Sequence, residues 1–166
     1  MQTRPATTDD VPDVQAVARE TWKTAYDFLS REEREAALRE RYATDRLESA
    51  VADDDGEFVV AVDDSVVGFA HARPVDPAER VGGAELRDVQ VRPERWNEAI
   101  GRSLLAATED ALRDRGFTQL AVAVFADNER ARSFFEARGF EPVEERVEDL
   151  FSGGTARQLR YHHDMG

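Results

Sequence analysis

Residues 84–105, AELRDVQVRPERWNEAIGRSLL, read as a strand up to Val91, a stop at Pro93 and a helix from about Ile100. A strand that turns tightly into a helix must lie in a sheet that the helix then covers, which fixes much of the surrounding layer. The junction also leaves unpaired backbone N–H groups at the positive end of the helix. Such a terminus is a ready site for a phosphate or pyrophosphate. An ordinary strand-to-helix connection, with Gly101 only easing the turn, has the same pattern. The Walker pattern and the three-glycine dinucleotide pattern are both absent here.

The remaining chain alternates helices and strands without strict order. Gln2 to Ala6 is strand-like, and Thr8 is positioned to cap a helix carrying Val11, Val14, Val17 and Ala18 at helical spacing. An Arg/Glu-rich helical run from about Arg31 to Tyr42 follows. Glu57 to Val62 and Val66 to Arg73 predict a hairpin around Asp63 and Asp64, and Val75 to Gly83 a loop. The helix beginning near Ile100 keeps Leu104, Leu105, Thr108 and Leu112 on one side and ends at Gly116. Leu120 to Phe125 is apolar on both faces, as expected of a central strand. Asp127 or Asn128 can cap the next helix, which Gly139 ends, and a last hairpin turns around Ser152 to Gly154. The pattern predicts an α+β fold with a mixed sheet in one domain spanning residues 1–166.

Composition removes several function classes. With no cysteine there is no disulfide, thiol nucleophile or thiolate metal site, and His71, His162 and His163 lack metal-ligand spacing. No metal is expected. No apolar stretch approaches the roughly 18 residues needed to span a bilayer, and the N-terminal residues lack a signal-peptide core, so a cytoplasmic location is expected. Lys+Arg 22 against Asp+Glu 35 gives a formal charge of -13, a poor surface for nucleic acid. The acidity reads either as attraction of a cationic substrate or as adaptation to a salt-rich cytoplasm. Its scatter from Asp9 to Asp164 favours the halophilic reading. At about 1 M salt the Debye length is ~3 Å, so repulsion among carboxylates is mostly screened. The thermal midpoint is therefore expected to rise with KCl, and a flat profile would remove that reading.

Beyond these patterns, the chain resembles the Gcn5-related N-acetyltransferase (GNAT) family. That family's signature is a strand, Val-x-Pro, then Arg/Gln-x-x-Gly-x-Gly/Ala opening a helix. Val91, Pro93, Gly101, Leu104 and Leu105 match it; Trp96 replaces the usual Arg or Gln, and Ala99 the first glycine. A Cβ at Ala99 costs about 1 to 2 kcal/mol if that position is left-handed, and little if it is helical. Downstream, NERARSFFEARGFEPV meets the family pattern at Asn128, Ala131, Phe134, Gly139 and Phe140. The resemblance implies the acyl-CoA N-acyltransferase fold: a mixed, mostly antiparallel sheet of six to seven strands with about four flanking helices. It implies acetyl-CoA as cosubstrate and transfer of its acetyl group to a primary amine by direct attack. The acceptor, a small molecule or peptide, is not specified, and a homodimer is an open expectation.

By the same resemblance Val89, Gln90 and Val91 pair with the pantetheine arm. Loop and helix residues Trp96, Asn97, Glu98, Ala99, Ile100, Gly101 and Arg102 hold the pyrophosphate, and Asn128 completes the cofactor set. Glu85 aligns with the general base of some members; Asp88, on the opposite face if the strand alternates strictly, is the weaker alternative. Many relatives protonate the leaving thiolate with a tyrosine where this chain has Phe135, and a phenyl ring cannot donate. Tyr26 and Tyr161 are the remaining candidate donors. A catalytically silent acetyl-CoA-binding module is the rival reading. Residues 92–102 carry Arg92, Arg95 and Arg102 against Glu94 and Glu98, a basic balance, as is that of residues 128–138, where CoA phosphates need compensation.

Overall fold

β-branched and small apolar residues place both faces of one sheet under cover, and helices supply that cover from each side. The computed structural model describes residues 1–75 and 83–166. Its strands are β1 (Gln2–Pro5), β2 (Glu57–Asp63), β3 (Ser65–Pro74), β4 (Gly83–Val91), β5 (Gln119–Phe125), β6 (Glu141–Asp149) and β7 (Thr155–Asp164). They form a seven-stranded sheet in the order β1-β2-β3-β4-β5-β7-β6. Every neighbouring pair is antiparallel except β4 and β5. That parallel pair needs a crossover, which is helix α4 (Ile100–Asp114). The expected mixed, mostly antiparallel sheet is present. β5 is paired on both sides, although the middle strand is β4.

Phe58 and Val60 of β2 point into a cluster with α1 (Val11–Ala25), α2 (Arg31–Arg41) and α3 (Thr44–Ala52). The alternate residues Val59 and Ala61 meet Ile100 and Leu104 of α4 on the other face. Five α-helices are present among the described residues rather than about four. The additional one, α3, buries only Leu47 completely, so its apolar stripe is too thin to stand out from its charged neighbours. The expected cap moves by one residue as well. Thr7 precedes a single 3-10 turn, Thr8–Asp10, before α1 begins. Asp10, buried, accepts from the Thr7 backbone N–H at 2.8 Å and from Arg4 at 2.8 and 2.9 Å. The Arg4 bonds hold its carboxyl below the usual aspartate range. The stabilisation they bring is present above that range and is lost as pH falls through the lowered value.

Both glycine stops appear as predicted. Gly116 has φ +94 and Gly139 φ +89. At α4 the Phe117 N–H reaches the Leu112 carbonyl and the Gly116 N–H that of Arg113; Phe140 and Gly139 repeat this with Phe135 and Glu136 at the end of α5 (Glu129–Glu136). These are paired Schellman closures. The loop expected at 75–83 lies largely outside the described residues.

Candidate active site

The β4–β5 ladder runs only from Gly83↔Gln119 to Leu86↔Val122, although both strands continue beyond it. Just past that point Arg87 has no partner on β3, because Ala72 pairs Leu86 while His71 pairs Asp88. This bulge adds one residue to β4 and bends it away from β5. The strands therefore splay, and a cleft of about 550 Å³ opens beside Val89, Gln90 and Val91.

The bulge corrects one expectation. Strict alternation would place Asp88 opposite Glu85, whereas the extra residue returns it to the same face, where both act on Arg41. Asp88 Oδ1 accepts from the Tyr42 hydroxyl at 2.8 Å and from Gln90 Nε2 at 2.9 Å, with Arg41 at 3.5 Å. Trp22 Nε1 donates to the same Tyr42 oxygen at 3.1 Å, which makes Trp22, 2% exposed, part of the core. Asp88 thus anchors the end of α2 to β4. Glu85, at the closed end of the splay, is partly exposed; among the described residues its one close ion pair is with Arg87, at 3.3 Å.

The other wall is the entrance to α4. A 3-10 turn, Pro93–Arg95, leads to Asn97 with φ 70 and Ala99 with φ 64, so Ala99 adopts the left-handed conformation usually left to glycine. The strain, about 1 to 2 kcal/mol, points to a backbone shape held for its amides. No backbone N–H from Asn97 to Arg102 has an acceptor among the described residues; the first to find one is Ser103, bonded to the Ala99 carbonyl at 3.1 Å. These donors and the α4 dipole make a seat for a phosphate-bearing group.

Three arginines face this seat without a carboxylate partner among the described residues: Arg102, Arg130 and Arg138. Arg130 lies 3.9 Å from the centre of the Trp96 ring, and Trp96 Nε1 donates to the Val91 carbonyl at 2.9 Å. The cation that the signature usually carries in the loop is thus supplied by α5 and held on an indole platform. Arg138 stacks on Phe134 at 4.0 Å, and its buried Nε has no hydrogen-bond partner among the described residues. Burial and neighbouring Arg102 lower its proton affinity, as expected for cations awaiting an anion. Of the other arginines in the two basic segments, Arg92 pairs with Glu20, Arg95 with Asp63 and Glu98, and Arg132 lies near Glu136.

Ten of the eleven residues expected to hold the cofactor line this cleft: Val89, Gln90, Val91, Trp96, Asn97, Ala99, Ile100, Gly101, Arg102 and Asn128. Glu98 does not; its carboxylate turns to Arg95 at 2.9 Å. Asn128, rather than Asp127, caps α5, its Oδ1 accepting from Ala131 N at 3.1 Å. Thr21, Tyr26, Arg130 and Arg138 join the lining. The basic balance of residues 128–138 points to Arg130 and Arg138 as part of a segment facing CoA phosphates without singling either out, Tyr26 reads from sequence only as a candidate donor, and Thr21 has no assigned role. Between the candidate donors, Tyr161 is fully buried and donates to Glu136 at 2.6 Å, away from the cleft. Tyr26 lines the cleft, and its hydroxyl is pushed up to about 12, chiefly by burial. His71 stacks on Phe58 at 4.9 Å, and burial lowers its pKa; it does not reach the cleft. No helix among the described residues is long and apolar enough to cross a membrane.

A model of the Acetyltransferase (GNAT) family matches residues 21–140. The spermidine N(1)-acetyltransferase of Thermoplasma acidophilum is 24% identical over 167 residues, covering 97% of this chain and 98% of that one. The crystal structure of PaiA N-acetyltransferase from the same organism, in complex with coenzyme A, superposes with TM-score 0.80 at 26% identity and covers 98% of each chain. A GCN5-related N-acetyltransferase structure from Rhodopseudomonas palustris shares the fold, with TM-score 0.81 at 19% identity over 98% of this chain and 94% of that one. With the matched segment running from α1 through the splay to the end of α5, the chain belongs to the GNAT family of acetyl-CoA-dependent N-acetyltransferases.

Proposed function

We propose that the enzyme acetylates the primary amine of a small cationic acceptor, with a polyamine as the first class to test, by direct attack on the thioester. The observation that supports this most is spatial. The splayed cleft has bare amides and three unmatched arginines at one end; Glu85 does not line it but stands just behind its other end, on the last paired stretch of β4, opposite Ala121. The polyamine class rests on the spermidine N(1)-acetyltransferase relative and on a formal charge of -13, which draws cations towards the surface.

Acetyl-CoA supplies an activated carbonyl and a sulfur leaving group. The amides of Asn97 to Arg102, with Arg102, Arg130 and Arg138, seat its pyrophosphate, while Val89 and Gln90 border the arm. Glu85 takes the amine proton through a bridging water. Tyr26 gives a proton to the departing sulfur and is reprotonated from solvent as Glu85 releases the amine proton to it, and so replaces the hydroxyl that Phe135 lacks. At neutral pH its phenol stays protonated and able to donate. Because a thiolate leaves tolerably well, Tyr26→Phe is expected to lower kcat about tenfold with CoA affinity unchanged. Stopped-flow turnover beside calorimetric CoA titration measures both, and an unchanged kcat would remove Tyr26 from the reaction.

The whole reading is tested by titrating CoA in high-salt buffer and following CoA release with a panel of polyamines, lysine peptides and monoamines. Failure to bind CoA sinks it. Binding without turnover, with activity appearing only in Phe135→Tyr, would favour a silent acetyl-CoA-binding module.

A further inference from the structure

About half of the described cations in this acidic molecule are matched. Arg4, Arg41, Arg92, Arg113, Arg115 and Arg157 each lie within reach of a carboxylate. Among the described residues, unmatched ones gather in two depressions. One is the cleft, where a phosphate-bearing cosubstrate accounts for them. The other is a groove of about 890 Å³ between α1 and α2, lined by Arg19, Lys23, Arg31, Arg34 and Arg39 against a single carboxylate, Glu35. Arg46 on α3, Arg73 on β3 and Arg160 on β7 are also unmatched, but they stand on separate elements.

Glu35 is already engaged, accepting from Arg31 at 3.1 Å. Arg19, Lys23 and Arg39 have neither a carboxylate nor a hydrogen-bond partner among the described residues. The groove is braced from within. Arg34 donates to the Leu29 carbonyl at 2.9 Å, and Gln15 Nε2 ties α1 to the Tyr42 carbonyl at 2.9 Å and to Thr44 at 3.1 Å. Its cations therefore converge on a held shape. In a chain with 35 acidic residues, such a concentration opposes both the general charge and its own mutual repulsion.

We propose that this groove is a second anion site, separate from the cleft, for a small polyanion carrying several phosphate or carboxylate charges. Its volume is within the range of small-molecule sites, and arginine forks suit both oxyanions. The net negative surface beyond the groove disfavours an extended nucleic acid.

The test uses the full chain saturated with CoA, so that the cleft is filled. Tripolyphosphate and citrate are titrated separately by calorimetry at the lowest KCl concentration at which the thermal melt shows the chain folded, so that screening is as modest as the fold allows. At least one should bind at one site per chain and weaken as salt rises; which binds tighter distinguishes phosphate from carboxylate. The combined Arg19→Gln, Lys23→Gln, Arg39→Gln variant should lose at least tenfold in that affinity while its CoA affinity and melting midpoint stay unchanged. The proposal is overturned if neither anion binds, if the triple variant binds equally well, or if a DNA duplex binds the groove more tightly than either.

Discussion

At neutral pH the Glu85→Gln enzyme is expected to form product about a hundredfold more slowly than the native one, the scale typical of losing a positioned base. Two carboxylates share the face of β4 beside the splay, and their surroundings separate them. Asp88 is engaged through Oδ1 by Tyr42, Gln90 and Arg41, so its carboxylate is committed to tying α2 to β4. Glu85 is partly exposed, has one close ion pair among the described residues, with Arg87, and can take a proton through water. The pH profile carries the diagnostic sign. A protonated amine cannot attack, so without Glu85 the rate must follow the free-amine fraction upward, and the difference between the two enzymes narrows as pH rises. Asp88→Asn should instead lower the melting midpoint, because it loosens the end of α2. Initial rates of CoA release from pH 6 to 10 check this, and a Glu85→Gln rate within threefold of native at pH 7 would dismiss Glu85 as the base.

What the sequence revealed depended on whether a residue's role was local. Gly116 and Gly139 end their helices because a left-handed residue is required there, a requirement visible in the chain itself. The strand–turn–helix at 84–105 was legible for the same reason, and so was the seat built from its amides. The bulge at Arg87 was not. It is a mismatch between β3 and β4, and alternation along β4 alone put Asp88 on the wrong face. Trp96 shows the same limit. In the chain it stands only as a replacement for Arg or Gln, and the packing of α5 against the loop is what shows Arg130 resting on its ring. Ala99 lay between the two cases: its cost could be stated beforehand, but the sign of φ came from the fold. Tyr26 and Tyr161 were indistinguishable as residues and were separated by which lines the cleft.

Gly68→Ala should cost about 3 kcal/mol of stability, at the upper end for overpacking one methyl group, and lower the melting midpoint by roughly 5–10 °C. Gly68 lies on β3 opposite Val91 and beneath α4. A Cβ there would stand 2.8 Å from the Gln90 carbonyl oxygen and 3.0 Å from Leu104 Cδ1. Leu104 is fully buried and cannot swing into solvent, and the carbonyl moves only if β4 moves with it. That movement would displace Gln90 and Val91, which line the cleft, so CoA affinity should fall together with stability. Gly116→Ala is the control. No atom lies within 4 Å of its added Cβ, so only the left-handed conformation is penalised, by about 1 kcal/mol, and CoA affinity should be unchanged. Thermal melts and CoA titrations of the two variants separate steric from conformational cost. If Gly68→Ala melted within 2 °C of native and bound CoA normally, the close approach of α4 to β3 and β4 would not be what sets the wall of the cleft.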